Sequence, residues 1–308
     1  MKRRLLKAYL LMIVLLGMSV VPVFAATEPD IYYQTHVQNV GWQNYVENGA
    51  MSGTSGQSLR LEGIRIYLDS NGYDLGVTYQ THIQNIGWET DAGRGWKADN
   101  EMSGTSGLSY RLEAIQIKLT GSDANLFDIY YQVHAQTVGW LDWAKNGQSA
   151  GTAGLSYRLE GIRIIIQATG QSAPGPTDTP FKEKLSTAEF INQLYGVWPD
   201  ESSQTVLILS QTHFYNYIPT PLSVAYGAFD VVSTTDNGGT IRVNDLTVEG
   251  YNSGDHLVNF NFGAAGDNMM SWQYDGSIWH QVSAAQNLGG GQYLIPFYFN
   301  GSNIISMP

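Results

Sequence analysis

Ile31-Tyr32-Tyr33-Gln34-Thr35-His36-Val37-Gln38-Asn39-Val40-Gly41-Trp42 is the stretch on which the fold turns, because its pattern returns at 77–88 and again at 129–140. A second block follows each copy: Leu59-Arg60-Leu61-Glu62-Gly63-Ile64-Arg65-Ile66, then 110–117, then 157–164. Between the blocks runs a Gly/Ser/Thr loop, Ser52-Gly53-Thr54-Ser55-Gly56, matched at 103–107 and 150–154. Such self-similarity marks repeated supersecondary units, here 31–68, 77–119 and 129–166. The second copy is five residues longer, which Asp91-Ala92-Gly93-Arg94-Gly95 accounts for. Without that insertion Tyr45, Trp96 and Trp143 become equivalent, as do the pairs Asn48-Gly49, Asp99-Asn100 and Asn146-Gly147. Such pairs suit a type I′ turn, which needs positive φ at both central residues.

Each repeat therefore reads as a long strand through the Gly-Trp pair, a tight turn, a short strand, the Gly-rich loop and a strongly apolar last strand. One unit of this kind cannot cover its own apolar face, whereas several stacked copies bury a common core. The expectation is an all-β, pseudo-threefold domain over 31–168, β-prism or β-trefoil-like, with the short connectors 69–76 and 120–128 favouring contact between copies.

The spaced blocks, a Tyr-Gln-x-His strand, a Gly-Trp dipeptide and an Arg-Leu-Glu-Ala/Gly-Ile strand, resemble the clostridial hydrophobic Trp repeat (ChW) family in all three copies. The resemblance implies a secreted or surface protein of a Firmicute that binds surface polymers or acts in adhesion.

Alternate strand residues share a face. Gln34, His36 and Gln38 lie opposite Tyr33, Thr35 and Val37, and the same register puts His82 and His134 at equivalent places. Single histidines from three repeats, with no carboxylate at ligand spacing, do not make a metal site, and no cofactor is expected. Trp42, Trp88 and Trp140 share the Gln/His face if the strand stays regular through the glycine, whereas a bulge there would turn them inward; they are expected to anchor the core, with Tyr45, Trp96 and Trp143 on the opposite face. These three rings would then be stacking platforms for a sugar, beside Asn48, Asp99 and Asn146 as hydroxyl partners and near His36, His82 and His134. An edge aromatic that merely covers a hairpin fits the same spacing. Arg60/Glu62, Arg111/Glu113 and Arg158/Glu160 stand two apart on a strand face that continues into apolar core, and are expected to be structural ion pairs.

Composition narrows the function. Lys+Arg total 16 against Asp+Glu 27, net −11, so there is no cationic surplus for nucleic acid. Zero cysteine excludes disulfides, a thiolate nucleophile and Cys-ligated zinc. The basic start Met1-Lys2-Arg3-Arg4, the apolar run 8–21 and Val23-Phe24-Ala25 form an export signal over 1–25. Its removal leaves 12 basic residues against 27 acidic ones. A secreted chain with no membrane span, held at a cell surface non-covalently if at all, is the expectation.

Residues 169–182, rich in Pro, Gly, Ser and Thr, read as a linker. Ser186-Thr187-Ala188-Glu189 is a capping box that opens one helix. Strand-like runs at 205–209, 213–217, 223–232, 240–251, 256–262, 269–274, 277–283 and 292–299 then predict a β-barrel or sandwich over 183–308. Gly196-Val197-Trp198 after the helix is similar to the Gly-x-Trp opening of lipocalins, a likeness carried by that triplet alone.

No zincin helix, phosphate loop or dinucleotide fingerprint appears, and Gly147-Gln148-Ser149-Ala150-Gly151 is a nucleophile-elbow pattern without the helix it requires. The expected function is a non-enzymatic binding or adhesion protein that engages cell-wall or other extracellular polysaccharide. The alternatives are a secreted hydrolase with its site in the C-terminal domain, drawing on His213, His256 or His280, and a protein–protein adhesion scaffold.

Overall fold

The structure, a computed structural model, describes residues 27–200, 203–219, 222–248, 251–263, 269–277, 280–299 and 302–307; the export signal expected at 1–25 lies outside them. The first half forms three sheets around one core. In each repeat a leading strand (Asp30–Val37, Gly76–Ile83, Phe127–Ala135) pairs antiparallel with a closing strand (Leu61–Asp69, Leu112–Thr120, Leu159–Ala168). Alternation in the leading strand decides the inside: Ile31, Tyr33 and Val37 are fully buried with their counterparts Val77, Tyr79, Ile83, Ile129, Tyr131 and Ala135, in one cluster spanning all three copies. This is the pseudo-threefold closure the repeat pattern predicts, built as three separate sheets.

A ring of exchanged strands holds the copies together. The short strand Ser52–Gly53 of repeat 1 pairs with the closing strand of repeat 3, Ser103–Gly104 of repeat 2 with that of repeat 1, and Ala150–Ala153 of repeat 3 with that of repeat 2. Glycine is required at the crossings. At Gly53, with φ +108°, a Cβ would come within 2.4 Å of the Glu160 carbonyl oxygen, and at Gly104 and Gly151 within 2.5 Å of Glu62 and Glu113. The predicted turns have positive φ at both positions (45° and 89° at Asn48-Gly49), but their two arms belong to different sheets. The turn itself docks on the neighbour, with the Gly49 N–H donating to Ile164 O at 2.7 Å.

The leading strand does not run on through Gly-Trp. It stops at Val37, turns through Asn39 (φ 62°) and Gly41 (φ 86°), and comes back so that Trp42 lies opposite His36. The left-handed conformation required at Gly41 is what breaks the strand. The same hairpin recurs at Gly87–Trp88 and Gly139–Trp140.

The segment expected as a free linker is docked. The Trp143 N–H donates to Pro176 O at 2.8 Å, Asp142 accepts from both the N–H and the hydroxyl of Thr179, and the Gly151 N–H reaches Pro180 O at 3.0 Å. Phe181–Glu183 then adds to the Ala150–Ala153 edge as a parallel strand. Composition hides this, because proline-rich chain is also well suited to lie extended along an aromatic.

Beyond it, helix α1 (Thr187–Leu194) starts at the predicted capping box, and Phe190 and Leu194 insert into an eight-stranded antiparallel barrel. The barrel runs Gly196–Asp200, Thr205–Leu209, His213–Pro219, Leu222–Thr234, Gly238–Val248, His256–Phe262, Met269–Tyr274 and His280–Ser283, and it is nearly closed. Trp198 is buried in its core, and its indole N–H donates to Leu194 O at 2.8 Å. The sequence reading placed no strand at 196–200; Pro199 is accommodated there because that strand has one ladder partner, so its other edge needs no proline N–H. A separate hairpin sheet, Gln286–Gly289, Gln292–Phe299 and Ser302–Ser306, covers an outer patch with Tyr293 and Ile295.

Candidate functional site

The outer face of each repeat carries a polar and aromatic row. In repeat 1 the leading strand contributes Tyr32, Gln34 and His36, and the facing closing strand contributes Gly63, Arg65 and Tyr67. Glu62 lies 3.1 Å from His36 Nδ1, and its other oxygen accepts from Arg60 at 2.8 and 2.9 Å. The arrangement repeats as His82–Glu113–Arg111 and His134–Glu160–Arg158, with His–Glu distances of 3.0 and 3.2 Å. The structural ion pairs read from the sequence are therefore present, with the histidine as a third member. Burial pushes the Glu113 carboxyl up, but hydrogen bonds from His82 and Arg111 and the Arg111 charge outweigh it and hold the group below its ordinary range. The three histidines stand on three different faces, each engaged by its own glutamate.

The tryptophans reverse the expected inside and outside. Trp42 is 36% exposed, and Trp88 and Trp140 are half-buried on the same outer face. Each meets its histidine edge-on at 5.4 to 5.5 Å. Trp42 lies over Gly63, whose missing side chain leaves room for the indole, beside Met102 of the next repeat; Trp140 lies likewise over Gly161 beside Met51. The hairpin reversal at Gly41 produces this placement, since Trp42 becomes a cross-strand neighbour of His36 and not a continuation of its strand.

The expected platforms diverge from one another. Tyr45, 36% exposed, packs edge-on against Tyr67 at 5.2 Å and donates to Asn100 at 2.6 Å. Tyr67 in turn stacks on Tyr32 at 4.9 Å, so Tyr45 and Trp42 share one face instead of opposing each other. Trp96 is half-buried beneath the Lys118 ammonium, 4.1 Å from its ring centre. Trp143 is not exposed: at 8% exposure it lies under Gly175 of the docked segment. Asn48 and Asn146 are not free for a ligand either, because their side chains accept the Ile31 and Ile129 N–H groups and donate to Asp30 and Asp128. Asp99 is exposed.

Sequence reasoning missed the cations. Arg65 lies 5.0 Å over Trp42 and Arg163 4.6 Å over Trp140. The spacing carried the signal, since Arg65 stands two residues beyond Gly63 and so shares the face on which Trp42 rests. Repeat 2 has Gln116 there, bonded to Gln80 and to Ser149.

In the barrel, Ser253 Oγ lies 3.1 Å from His256 Nε2, and His256 Nδ1 lies 2.5 Å from Asp275. The same Nε2 faces Ser253 O at 3.2 Å and Ser253 Oγ donates to Leu246 O at 2.9 Å, so these contacts clasp the turn. Among the described residues no group of three His, Cys, Asp or Glu side chains is placed to hold a metal.

Comparison with family models gives a match to Clostridial hydrophobic W (ChW) over residues 36–70, 82–121 and 134–167. Comparisons with curated proteins and with solved structures return no match. The Gly-Trp hairpin and the His–Glu–Arg set fall inside the matched windows, as do the closing strands except the last residue of the third, and residues 36–167 of this chain are three consecutive copies of the ChW repeat.

Proposed function

We propose that the chain is an exported binding protein whose repeat body engages extracellular polysaccharide, cell-wall polymers included, through the outer faces of the repeats. The observation that supports this reading is the continuous row Trp42, Arg65, Tyr67 and Tyr45 on repeat 1, with its two end rings each 36% exposed. Flat rings with polar groups between them suit the apolar faces and equatorial hydroxyls of sugars. Because the opposite face of the same strands packs into the common core, the row is held rigidly. Rigid presentation lowers the ordering cost of binding.

The test is a pull-down of the exported chain on purified peptidoglycan together with a glycan array. Binding that falls at least about tenfold in Trp42→Ala and Tyr45→Ala, with unchanged unfolding curves, supports the reading. Retention of a protein partner with no glycan signal would favour an adhesion scaffold instead.

A second reading, a secreted hydrolase, draws on the Ser253–His256–Asp275 contacts. A nucleophile needs its hydroxyl proton directed to the imidazole, whereas here it is donated to a backbone carbonyl. Covalent labelling of Ser253 by a fluorophosphonate probe, lost in His256→Ala, is the result that would establish it.

A further inference from the structure

The repeat body holds nine basic side chains: Arg60, Arg65, Arg94, Lys97, Arg111, Lys118, Lys145, Arg158 and Arg163. Six are paired with carboxylates. Arg60, Arg111 and Arg158 bond their glutamates, Arg94 and Lys97 face Glu89, and Lys145 meets Asp128. Arg65, Lys118 and Arg163 have no carboxylate within ion-pairing distance among the described residues, and each stands over a tryptophan instead. In a chain with a large excess of acid, cations left without acid are not explained by supply. Among the described residues Arg65 Nε is in addition a buried donor with no hydrogen-bond partner, which is costly unless something accepts from it.

Position strengthens the pattern. Arg65 and Arg163 lie at the seams between copies, each with a tryptophan from its own repeat and a methionine from the next. At the remaining seam Gln116 replaces the arginine and Ser149 the methionine, and the two bond each other at 3.0 Å. Two seams thus pair a planar cation with an aromatic and an apolar wall; the third has an internally satisfied Gln–Ser pair at that place, and its cation, Lys118, stands two residues further along over Trp96. An indole stacks on a sugar ring while an adjacent guanidinium takes two oxygens of a carboxylate or phosphate.

We propose that the seams of repeats 1 and 3 bind an anionic glycan, with Arg65 and Arg163 receiving its acidic groups and Trp42 and Trp140 packing on its rings. This assignment rests on the glycan-binding reading above and names its ligand class. The excess acid elsewhere repels a polyanion at long range, so binding is expected near 0.1 M salt, where the screening length is about 10 Å.

The test titrates the exported chain with polygalacturonate, with the same polymer fully methyl-esterified, and with a phosphomannan, whose sugar rings carry phosphodiesters. The two charged polymers distinguish carboxylate from phosphate as the acidic group. Binding to at least one of them, weaker by about tenfold or more for the neutral ester, is expected. Arg65→Gln and Arg163→Gln install the residue repeat 2 already carries, so both variants should fold; each should weaken binding several-fold and the pair should abolish it. Gln116→Arg should strengthen it. Equal affinity for acid and ester, or full binding by the double variant, overturns the anionic assignment and leaves the glycan reading standing. Binding to none of these polymers, nor to peptidoglycan, overturns both.

Discussion

The hydroxyl of Tyr33 accepts the backbone N–H of Ile164 at 3.0 Å, joining residues 131 positions apart. It also donates to Ala50 O, and Tyr79 does the same between Ile66 and Glu101. Tyr131 donates to Gln148 O. Each buried phenol thus joins its own repeat's turn to the sheet of the neighbour. Tyr33→Phe leaves a buried N–H and a buried carbonyl without this partner, and should cost about 1–3 kcal/mol in urea unfolding. Tyr67→Phe, on the outer face, should change stability by less than about 0.5 kcal/mol. Equal costs for the two variants would deny the phenols their bridging role.

Alkaline pH should loosen the repeat body through the same groups. Burial pushes the Tyr33 phenol up to about 12, and it raises Tyr79 and Tyr131 as well. A folded pKa above the unfolded one favours the neutral form in the fold. Its contribution is complete below about pH 10, declines above that, and is lost as pH passes the folded value. Tyrosinate absorbance followed against pH should show these rings ionising late, together with unfolding. Early ionisation in a fully folded chain would contradict their burial.

Glu89 is fully buried in repeat 2, where repeat 1 has Gln43. The Gln43 amide accepts from the Gly53 N–H and donates to Gly53 O. In repeat 2 these roles are divided: Glu89 faces the Gly104 N–H, and Arg94 of the five-residue insertion donates to Gly104 O at 2.7 Å. Arg94→Ala should therefore destabilise by about 2–3 kcal/mol, because it leaves the buried Glu89 carboxylate with Lys97, 3.9 Å away, as its one remaining cation among the described residues. Adding Glu89→Gln should recover most of the loss. A double variant no better than Arg94→Ala would show that the insertion matters for another reason.

Repeat 3 has Leu141 at this position and leaves the edge to the docked segment 176–184. Leu141→Gln should place an amide against Gly151 and compete with Pro180. Limited proteolysis within 169–182 should then be several-fold faster than in the parent, because cleavage follows the population of the open form. An unchanged rate would mean that Asp142 and Trp143 alone hold the segment.

The repeat architecture was legible because the blocks recur and because leading-strand alternation separates Tyr33 from Gln34 without ambiguity. The Arg–Glu pairs were legible for the same reason. For Trp42, parity gave the outer face it occupies, and the expectation that a bulge at Gly41 turns the ring into the core is what failed. One positive-φ glycine converts a continuing strand into a hairpin, and parity counted through Gly41 then fails as a guide to Tyr45. Trp143 was misplaced because its cover comes from chain that composition marks as unstructured. Arg65 and Arg163 lay in plain view within the closing strands, but an isolated arginine on an outer strand face reads as ordinary surface until the ring beneath it is known.

The exchanged strand Ser52–Gly53 belongs to the first copy, yet its ladder partner is the closing strand of the last. A growing chain therefore makes this segment early and houses it only after more than a hundred further residues have emerged. The closing step has high contact order and should be slow. A chain truncated before the third copy keeps one unhoused strand, Ser52–Gly53, and one unfilled edge, on Leu112–Thr120, and a second truncated molecule supplies the match for each. Deleting one repeat should thus yield domain-swapped oligomers rather than a smaller monomer.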